Sequence, residues 1–281
     1  MSRSSLLARP FVAAFNSRFL QMLQYRAAAL AGFATQCWWG GIKVMVFAAF
    51  YGGASAAGGA APMSVSQAVT YTWLAQGLFA LLPWLGDPEV ALAVRTGAVA
   101  YDRLRPVDVY TLWFARSLGW IAARVLPRAA LMFAFAAVAL PLAGLEDWAW
   151  QPPVGLAAGC AFGVSFVLGL LLPTSMVILP NIAAVAAPNE RGTNGFVAPL
   201  VIVFSGNLLP LVLLPESWQG MLLLQPLAGV MDIPARMYFG LMSGTQALLG
   251  LGLQCFWIAV LVLLGRAAMA RTMGRLEVQG G

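Results

Sequence analysis

The sequence predicts an all-α polytopic membrane protein, a single membrane domain over residues 1–281 with six membrane-spanning helices. The first observation is composition, because 61% of the residues are hydrophobic, only 9% are charged and the mean hydropathy is +0.82. A soluble domain has about 25% charged residues, so this chain would expose large apolar patches to water and aggregate. The second observation is a set of long apolar runs, and the third is the placement of basic residues between them.

The apolar runs predict the spans. A helix needs about 20 mostly apolar residues to cross the roughly 30 Å hydrocarbon core at about 1.5 Å per residue. Six segments meet that length, and they cover residues 27–51, 65–86, 125–145, 154–180, 196–214 and 244–265. Spans one and two therefore occupy 27–86, and spans three to five occupy 125–214. The remaining segments are 1–26, 87–124, 215–243 and the tail 266–281.

The basic residues predict the orientation, because they concentrate on the cytoplasmic side of membrane proteins. With the N-terminus in the cytoplasm, 14 of the 16 basic residues lie on that side, Arg236 lies outside and Lys43 lies within the first span. The 14 residues are Arg3, Arg9, Arg18, Arg26, Arg95, Arg103, Arg105, Arg116, Arg124, Arg128, Arg191, Arg266, Arg271 and Arg275. Both termini are then cytoplasmic, and the net charge of +6 indicates topology rather than nucleic-acid binding.

Two segments on the cytoplasmic side have helical signals of their own. Residues 6–26 place apolar side chains on one face, which predicts an interfacial helix whose arginines face anionic lipid. In 87–124, Asp87 is a good N-cap, Pro88 suits the first helical position and Gly97 can end the helix. A second helix follows, and Pro106 interrupts it before 107–124. From these residues alone, a protein-docking role and a structural role are equally open.

The segment after the fifth span carries polar and small residues where a helix would be apolar. Ser205, Gly206 and Asn207 precede Pro210, and the apolar run 218–230 is too short to cross a bilayer. The segment is therefore expected to form re-entrant outer helices, and its polar residues either serve packing or line a path or outer gate. Lys43 has three interpretations: it extends to the outer surface, lines a protein cavity or contacts a partner chain.

The sequence lacks the residues that several kinds of chemistry require. The chain has no His, which removes His-based catalysis and His-bound metals, and its one Lys does not follow a glycine-rich phosphate loop. The three cysteines, Cys37, Cys160 and Cys255, lie in separate apolar segments and form no pair by spacing. No carboxylate cluster lies within a span. We therefore expect no catalytic residues, metal ligands or cofactors bound by this chain.

Three stretches together resemble a known family. They are DPEVALAVRTGAVAYDRLRPVD at 87–108, SGNLLPLVLLP at 205–215 and LEVQGG at 276–281. In this order, on a six-span chain, they resemble the permease subunits of bacterial type-2 ABC exporters. Such a subunit lies in the cytoplasmic (inner) membrane, with a separate ATPase subunit that uses ATP and magnesium and a second permease, identical or paralogous.

The resemblance also assigns roles to residues. It implies a coupling helix over 88–96 that contacts the ATPase, with contacts from Pro88, Glu89, Arg95, Gly97, Asp102, Arg103, Arg105 and Pro106. It further implies a substrate path or outer gate at Lys43, Ser205, Gly206, Asn207 and Pro210, although the family pattern has a small or apolar residue where Asn207 stands.

Other functions have less support from the sequence. An ion-coupled secondary transporter working without an ATPase is the main alternative, but such proteins usually keep carboxylates near the membrane midplane, and the ten acidic residues are expected in loops or at span ends. A membrane enzyme and a structural assembly subunit are weaker alternatives. Nothing in the sequence identifies the substrate.

Overall fold

The computed structural model describes residues 3–56, 62–83, 86–186 and 194–274, and every regular element in this part of the chain is helical. In chain order the helices are α1 (Arg3–Leu23), α2 (Arg26–Ala56), α3 (Val65–Gly77), α4 (Pro88–Arg95), α5 (Val99–Arg103), α6 (Val109–Ala134), α7 (Leu140–Leu142), α8 (Leu156–Ala186), α9 (Asn194–Phe204), α10 (Glu216–Leu224), α11 (Asp232–Tyr238) and α12 (Gly244–Gly274). This confirms the predicted all-α class.

Within the described ranges, three helical stretches are long and apolar enough to cross a membrane. They are Val109–Leu142, Leu156–Val185 and Gly244–Gly274. The number of six spans stays a prediction, because α2, which contains the expected span 27–51, is not among these stretches, and two other expected spans form shorter helices. The segment 65–86 is helical only over α3 and a short turn at Phe79–Leu81, and 196–214 is helical only to Phe204 before the chain turns.

The third predicted span differs in extent. The sequence predicts a cytoplasmic helix at 107–124 and a separate span from 125, whereas α6 begins at Val109 and runs through both, continuing by a π-helical turn into α7. Asp108 caps this helix by accepting a hydrogen bond from the backbone N–H of Thr111 at 2.9 Å. Pro127 lies inside the helix, where one lost backbone donor does not interrupt it. Residues 109–124 are therefore part of the same continuous helix as the predicted third span.

Helix α3 lies at the centre of the fold, with every residue from Ala68 to Gly77 buried. Its Trp73 packs against Gly40 of α2, where an added Cβ would lie 2.4 Å from the indole ring. The indole N–H of Trp73 also donates a hydrogen bond to the backbone oxygen of Trp148 at 2.7 Å. Burial on all sides explains how so short a helix is held in place, since its apolar contacts come from protein rather than lipid.

Helix α1 packs lengthwise against α6. The two helices approach closely at Gly119, where an added Cβ would lie 2.6 Å from the backbone oxygen of Phe15. The expectation that the arginines of α1 face lipid is wrong for Arg18, which is 8% exposed and turned into the protein. Arg18 instead pairs with the carboxylates of Asp87 and Glu89, which lie far along the chain.

We predict that Gly119→Ala lowers the midpoint of thermal unfolding of the purified protein in detergent. The added methyl group meets backbone rather than a movable side chain, so α1 must move away from α6. The control is Gly252→Ala in α12, where the added Cβ has no neighbour within 4 Å among the described residues. This control should leave the midpoint unchanged or raise it. Equal midpoints for both variants would contradict the described contact.

Candidate coupling and pathway sites

The segment from Asp87 to Asp108 is ordered by capping and by contact with α8. The Asp87 carboxylate accepts a hydrogen bond from the backbone N–H of Glu89 at 3.0 Å, as expected of an N-cap. The backbone N–H of Asp87 in turn donates to the side-chain oxygen of Asn181 in α8 at 2.7 Å. Gly97 has φ +73°, the left-handed conformation that favours glycine after a helix end. The predicted start and end of this short helix are thus consistent with the structure.

Glu89 connects this segment to two other helices. One of its carboxylate oxygens pairs with Arg18 of α1, and the other lies 2.6 Å from Nη2 of Arg116 in α6. Arg18 also pairs with Asp87 at 2.8 Å between Nη2 and Oδ1. The side chains of Arg18 and Asp87 are only 9% and 2% exposed, so these charges lie in a low-dielectric surrounding. Removing one partner of such a pair costs about 3–5 kcal/mol, because the other charge is left buried.

Asp102 extends the same arrangement to α5. Its carboxylate accepts a hydrogen bond from the Trp113 indole N–H at 3.0 Å and pairs with Arg116 at 3.5 Å. The more exposed Arg105 pairs with the other carboxylate oxygen at 3.4 Å. We call the six charged residues of these pairs the ion-pair network; they are Arg18, Asp87, Glu89, Asp102, Arg105 and Arg116.

Burial and hydrogen bonding shift the pKa values of Asp87 and Asp108, at the two ends of the segment, in opposite directions. Burial raises the pKa of the Asp87 carboxyl above its ordinary value, and the Arg18 charge and the Glu89 amide oppose that rise. Partial burial would also raise the pKa of Asp108, but hydrogen bonds from Thr111 and the charge of Arg266 hold it below its ordinary value. Asp108 is therefore a stable anionic cap at neutral pH, and its contribution is lost only as the pH falls through its lowered pKa.

The opposite face of the segment is exposed and apolar. Val90 and Val99 are buried against α6, α8 and α12, whereas Leu92, Tyr101 and Leu104 are 55%, 68% and 79% exposed. Among the predicted coupling residues, Pro88, Gly97, Arg105 and Pro106 are exposed on this segment, and Glu89 and Asp102 belong to the network. The side chains of Arg95 and Arg103 lie outside the described part of the chain. A groove of about 520 Å³ lies between the segment, α1 and α6.

The predicted pathway residues also come together, at the end of α9. Lys43 of α2 donates a hydrogen bond from Nζ to the backbone oxygen of Asn207 at 2.7 Å. The Asn207 side chain donates to the backbone oxygen of Ala75 at 3.0 Å, and the Tyr71 hydroxyl donates to that of Gly206 at 2.8 Å. Gly206 has φ +83°, so the chain turns here as few other residues allow. The contact with protein fits the cavity interpretation of Lys43 rather than extension to the outer surface.

Sequence reasoning missed the charged centre of this cluster. Asp232 of α11 is fully buried and accepts hydrogen bonds from the backbone N–H of Leu211 at 2.9 Å and from Nε of Arg236 at 2.6 Å. The Tyr71 hydroxyl lies 3.4 Å from the same carboxylate. The signal was an acidic and a basic residue four positions apart in an apolar segment, which is the spacing of a helical ion pair. The expectation that all acidic residues lie in loops or at span ends is therefore wrong for Asp232.

These contacts describe a closed arrangement. Ser205 and Asn207 are 0% and 3% exposed, and Gly206 and Pro210 are also buried, so they face protein in this conformation. Their polar atoms satisfy the backbone where α9 ends, as a break at membrane depth requires. Within the described residues, no group of three or more Cys, Asp or Glu side chains is placed to hold a metal ion.

Comparison with known proteins gives no match, whether with family models, with curated proteins or with solved structures.

We predict that Asp232→Ala destabilises the protein by about 3–5 kcal/mol, because Arg236 is left as a buried charge without its partner. The double variant Asp232→Ala/Arg236→Met should recover much of that loss, since it removes both charges and keeps apolar volume. Thermal unfolding of the single and double variants, compared in one detergent, measures the coupling. If the double variant is less stable than Asp232→Ala, the pair does not account for the stability of this cluster.

Proposed function

We propose that this chain is the transmembrane subunit of an ATP-driven ABC export system in the bacterial cytoplasmic membrane. It would form the substrate path together with a second permease, identical or paralogous, and couple to a separate ATPase subunit. It would be a multi-pass protein of six spans with both termini in the cytoplasm. It would not be an enzyme itself, because ATP and magnesium would be used by the partner.

One observation carries the proposal. The segment bearing the motif that resembles a coupling helix is fixed by ion pairs on one face and exposes apolar side chains on the other. Exposed apolar residues beside a rigid support are typical of a protein-docking surface. A purely structural segment would have little reason to leave Tyr101 and Leu104 more than two-thirds exposed, at 68% and 79%.

The ion pairs also supply a physical route for coupling. A displacement of α4 by the ATPase acts on Glu89, and through it on Arg18 of α1 and Arg116 of α6. Because α6 continues without a break into a candidate span, movement at its cytoplasmic end tilts the part of the helix in the bilayer. Work is transferred only if the inward-facing and outward-facing states differ in affinity for substrate.

At the other end of the fold, the closed cluster around Asn207 fits an outer gate. Lys43, Tyr71 and Asp232 connect α2, α3 and α11 to the end of α9, so these helices must separate for a path to open there. A gate of this kind would alternate between these internal hydrogen bonds and contacts with water or substrate.

A second candidate is an ion-coupled secondary transporter, and the buried Asp232 favours it. A carboxylate at the end of a discontinuous helix is a feature of ion sites in such transporters. Against this candidate, Asp232 already has a cationic partner in Arg236 and a backbone donor in Leu211. A carboxylate paired in this way is suited to structure more than to proton uptake.

The proposal is tested by purifying the tagged full-length chain from its native membranes in mild detergent. We expect a soluble subunit with a Walker A motif to co-purify in stoichiometric amount. The double variant Tyr101→Ser/Leu104→Ser should reduce its recovery about tenfold or more, as loss of central apolar contacts does at interfaces. The matched control Leu142→Ser/Leu156→Ser changes two residues of 84% and 86% exposure near the other end of the fold, and should leave recovery unchanged.

Transport assays separate the two candidates. An ATPase partner with an inactivated catalytic site should abolish export if the first candidate is right. Export that persists with that partner, and stops when the proton gradient is dissipated, would instead support the secondary transporter.

A further inference from the structure

Two arginines on α6, Arg124 and Arg128, are not members of the ion-pair network. Arg124 and Arg128 are one helical turn apart, so they share a face of α6. The guanidinium of Arg124 lies over the Trp120 ring at 4.4 Å from its centre. The guanidinium of Arg128 lies against Gly32 of α2, where an added Cβ would be 2.5 Å from Nη2. A glycine on the neighbouring helix thus provides the space that Arg128 occupies.

These two side chains are partly buried, yet neither forms a direct ion pair with a carboxylate among the described residues, and only the charge of Asp87 acts on Arg124 from a greater distance. By contrast, Arg18, Arg116 and Arg236, which are also largely removed from water, each pair with a carboxylate. The Nε of Arg128 is buried and finds no hydrogen-bond acceptor in the described part of the protein. Two neighbouring buried cations repel each other, and their burial is unfavourable without a counter-charge.

Their level in the membrane indicates what the counter-charge is. Arg124 immediately precedes the predicted span 125–145, and Arg128 lies three residues within it, which corresponds to about 5 Å along the helix. In the proposed orientation, on which this argument rests, both residues lie near the boundary between the cytoplasmic headgroups and the hydrocarbon. Phosphate groups of anionic lipids are concentrated there, and basic pockets between helices on this side bind them. The planar guanidinium also matches the oxygens of a phosphate in a bidentate arrangement.

We propose that Arg124 and Arg128 form a binding site for a phosphate group between α2 and α6 at the cytoplasmic face of the membrane. The phosphate is that of a lipid headgroup or a free inorganic phosphate, and its negative charge between the two cations reduces their repulsion. The Trp120 ring packs against the guanidinium of Arg124, and Gly32, which has no side chain, leaves the space that Arg128 occupies. Because α6 also carries Arg116 of the ion-pair network, an occupied site would steady the helix that receives the coupling segment.

The test uses the purified full-length chain in neutral detergent, with the midpoint of thermal unfolding as the readout. Short-chain phosphatidylglycerol should raise the midpoint of the unmodified protein by about 4 °C relative to short-chain phosphatidylcholine. Arg124→Gln/Arg128→Gln should lose most of that shift. Arg271→Gln, which removes an exposed arginine of α12, should keep the shift and so controls for the loss of an arginine outside the site.

A second variant keeps the test decisive if the double variant does not fold. Arg128→Lys preserves the charge but not the bidentate geometry, and it should reduce the shift at least by about half. A shift with inorganic phosphate equal to that with the lipid would support the site and identify free phosphate as its ligand; a shift with lipid alone would identify the headgroup. The proposal is overturned if neither phosphate source raises the midpoint, or if Arg128→Lys and Arg271→Gln both behave like the unmodified protein.

Discussion

The carboxylate of Glu89 is the interaction on which the packing of the segment from Asp87 to Asp108 depends. It lies between Arg18 of α1 and Arg116 of α6, and so joins three separate parts of the chain. Without it, the segment would keep the Arg18–Asp87 ion pair, the Asn181 hydrogen bond and the apolar contacts of Val90, but α4 would lose its ion pair with α6. With it, the segment forms a rigid body whose free face is apolar.

The other half of the fold depends on satisfying a broken backbone. Helix α9 ends at Phe204, and the polar groups that follow would be costly in hydrocarbon. Tyr71, Lys43 and Asp232 supply the donors and acceptors from three other helices. The ion-pair network and this cluster solve the same physical problem, the placement of charge inside an apolar protein, at opposite ends of the molecule. Both are arrangements that a transporter could release and re-form.

The local features of the fold could be predicted because they are encoded within a few residues. Asp87, Pro88 and Gly97 mark the beginning and end of α4 by capping and by backbone conformation, and the structure has them in those roles. Hydropathy alone predicts the apolar helices, and three stretches meet the length needed to cross a membrane.

Features that depend on distant residues could not be predicted in the same way. Arg18 is 69 positions from Asp87, so its burial gives no signal in the periodicity of α1. The continuity of α6 was missed because a charged half and an apolar half resemble two helices, and because Pro127 lies close to the boundary between them. The Lys43 contact joins positions 164 residues apart. A buried charge needs a partner, but the sequence does not show which distant residue supplies it.

We expect the ion pairs to hold the segment from Asp87 to Asp108 rigidly against α1, and a distance measurement tests this expectation. Spin labels at Leu92 and Leu20, both exposed, would be introduced after replacing Cys37, Cys160 and Cys255 with serine. In lipid nanodiscs, pulsed electron paramagnetic resonance should give one narrow distance distribution, and Glu89→Gln should broaden it. A distribution that is already broad with Glu89 present, or one that Glu89→Gln leaves unchanged, would contradict the account.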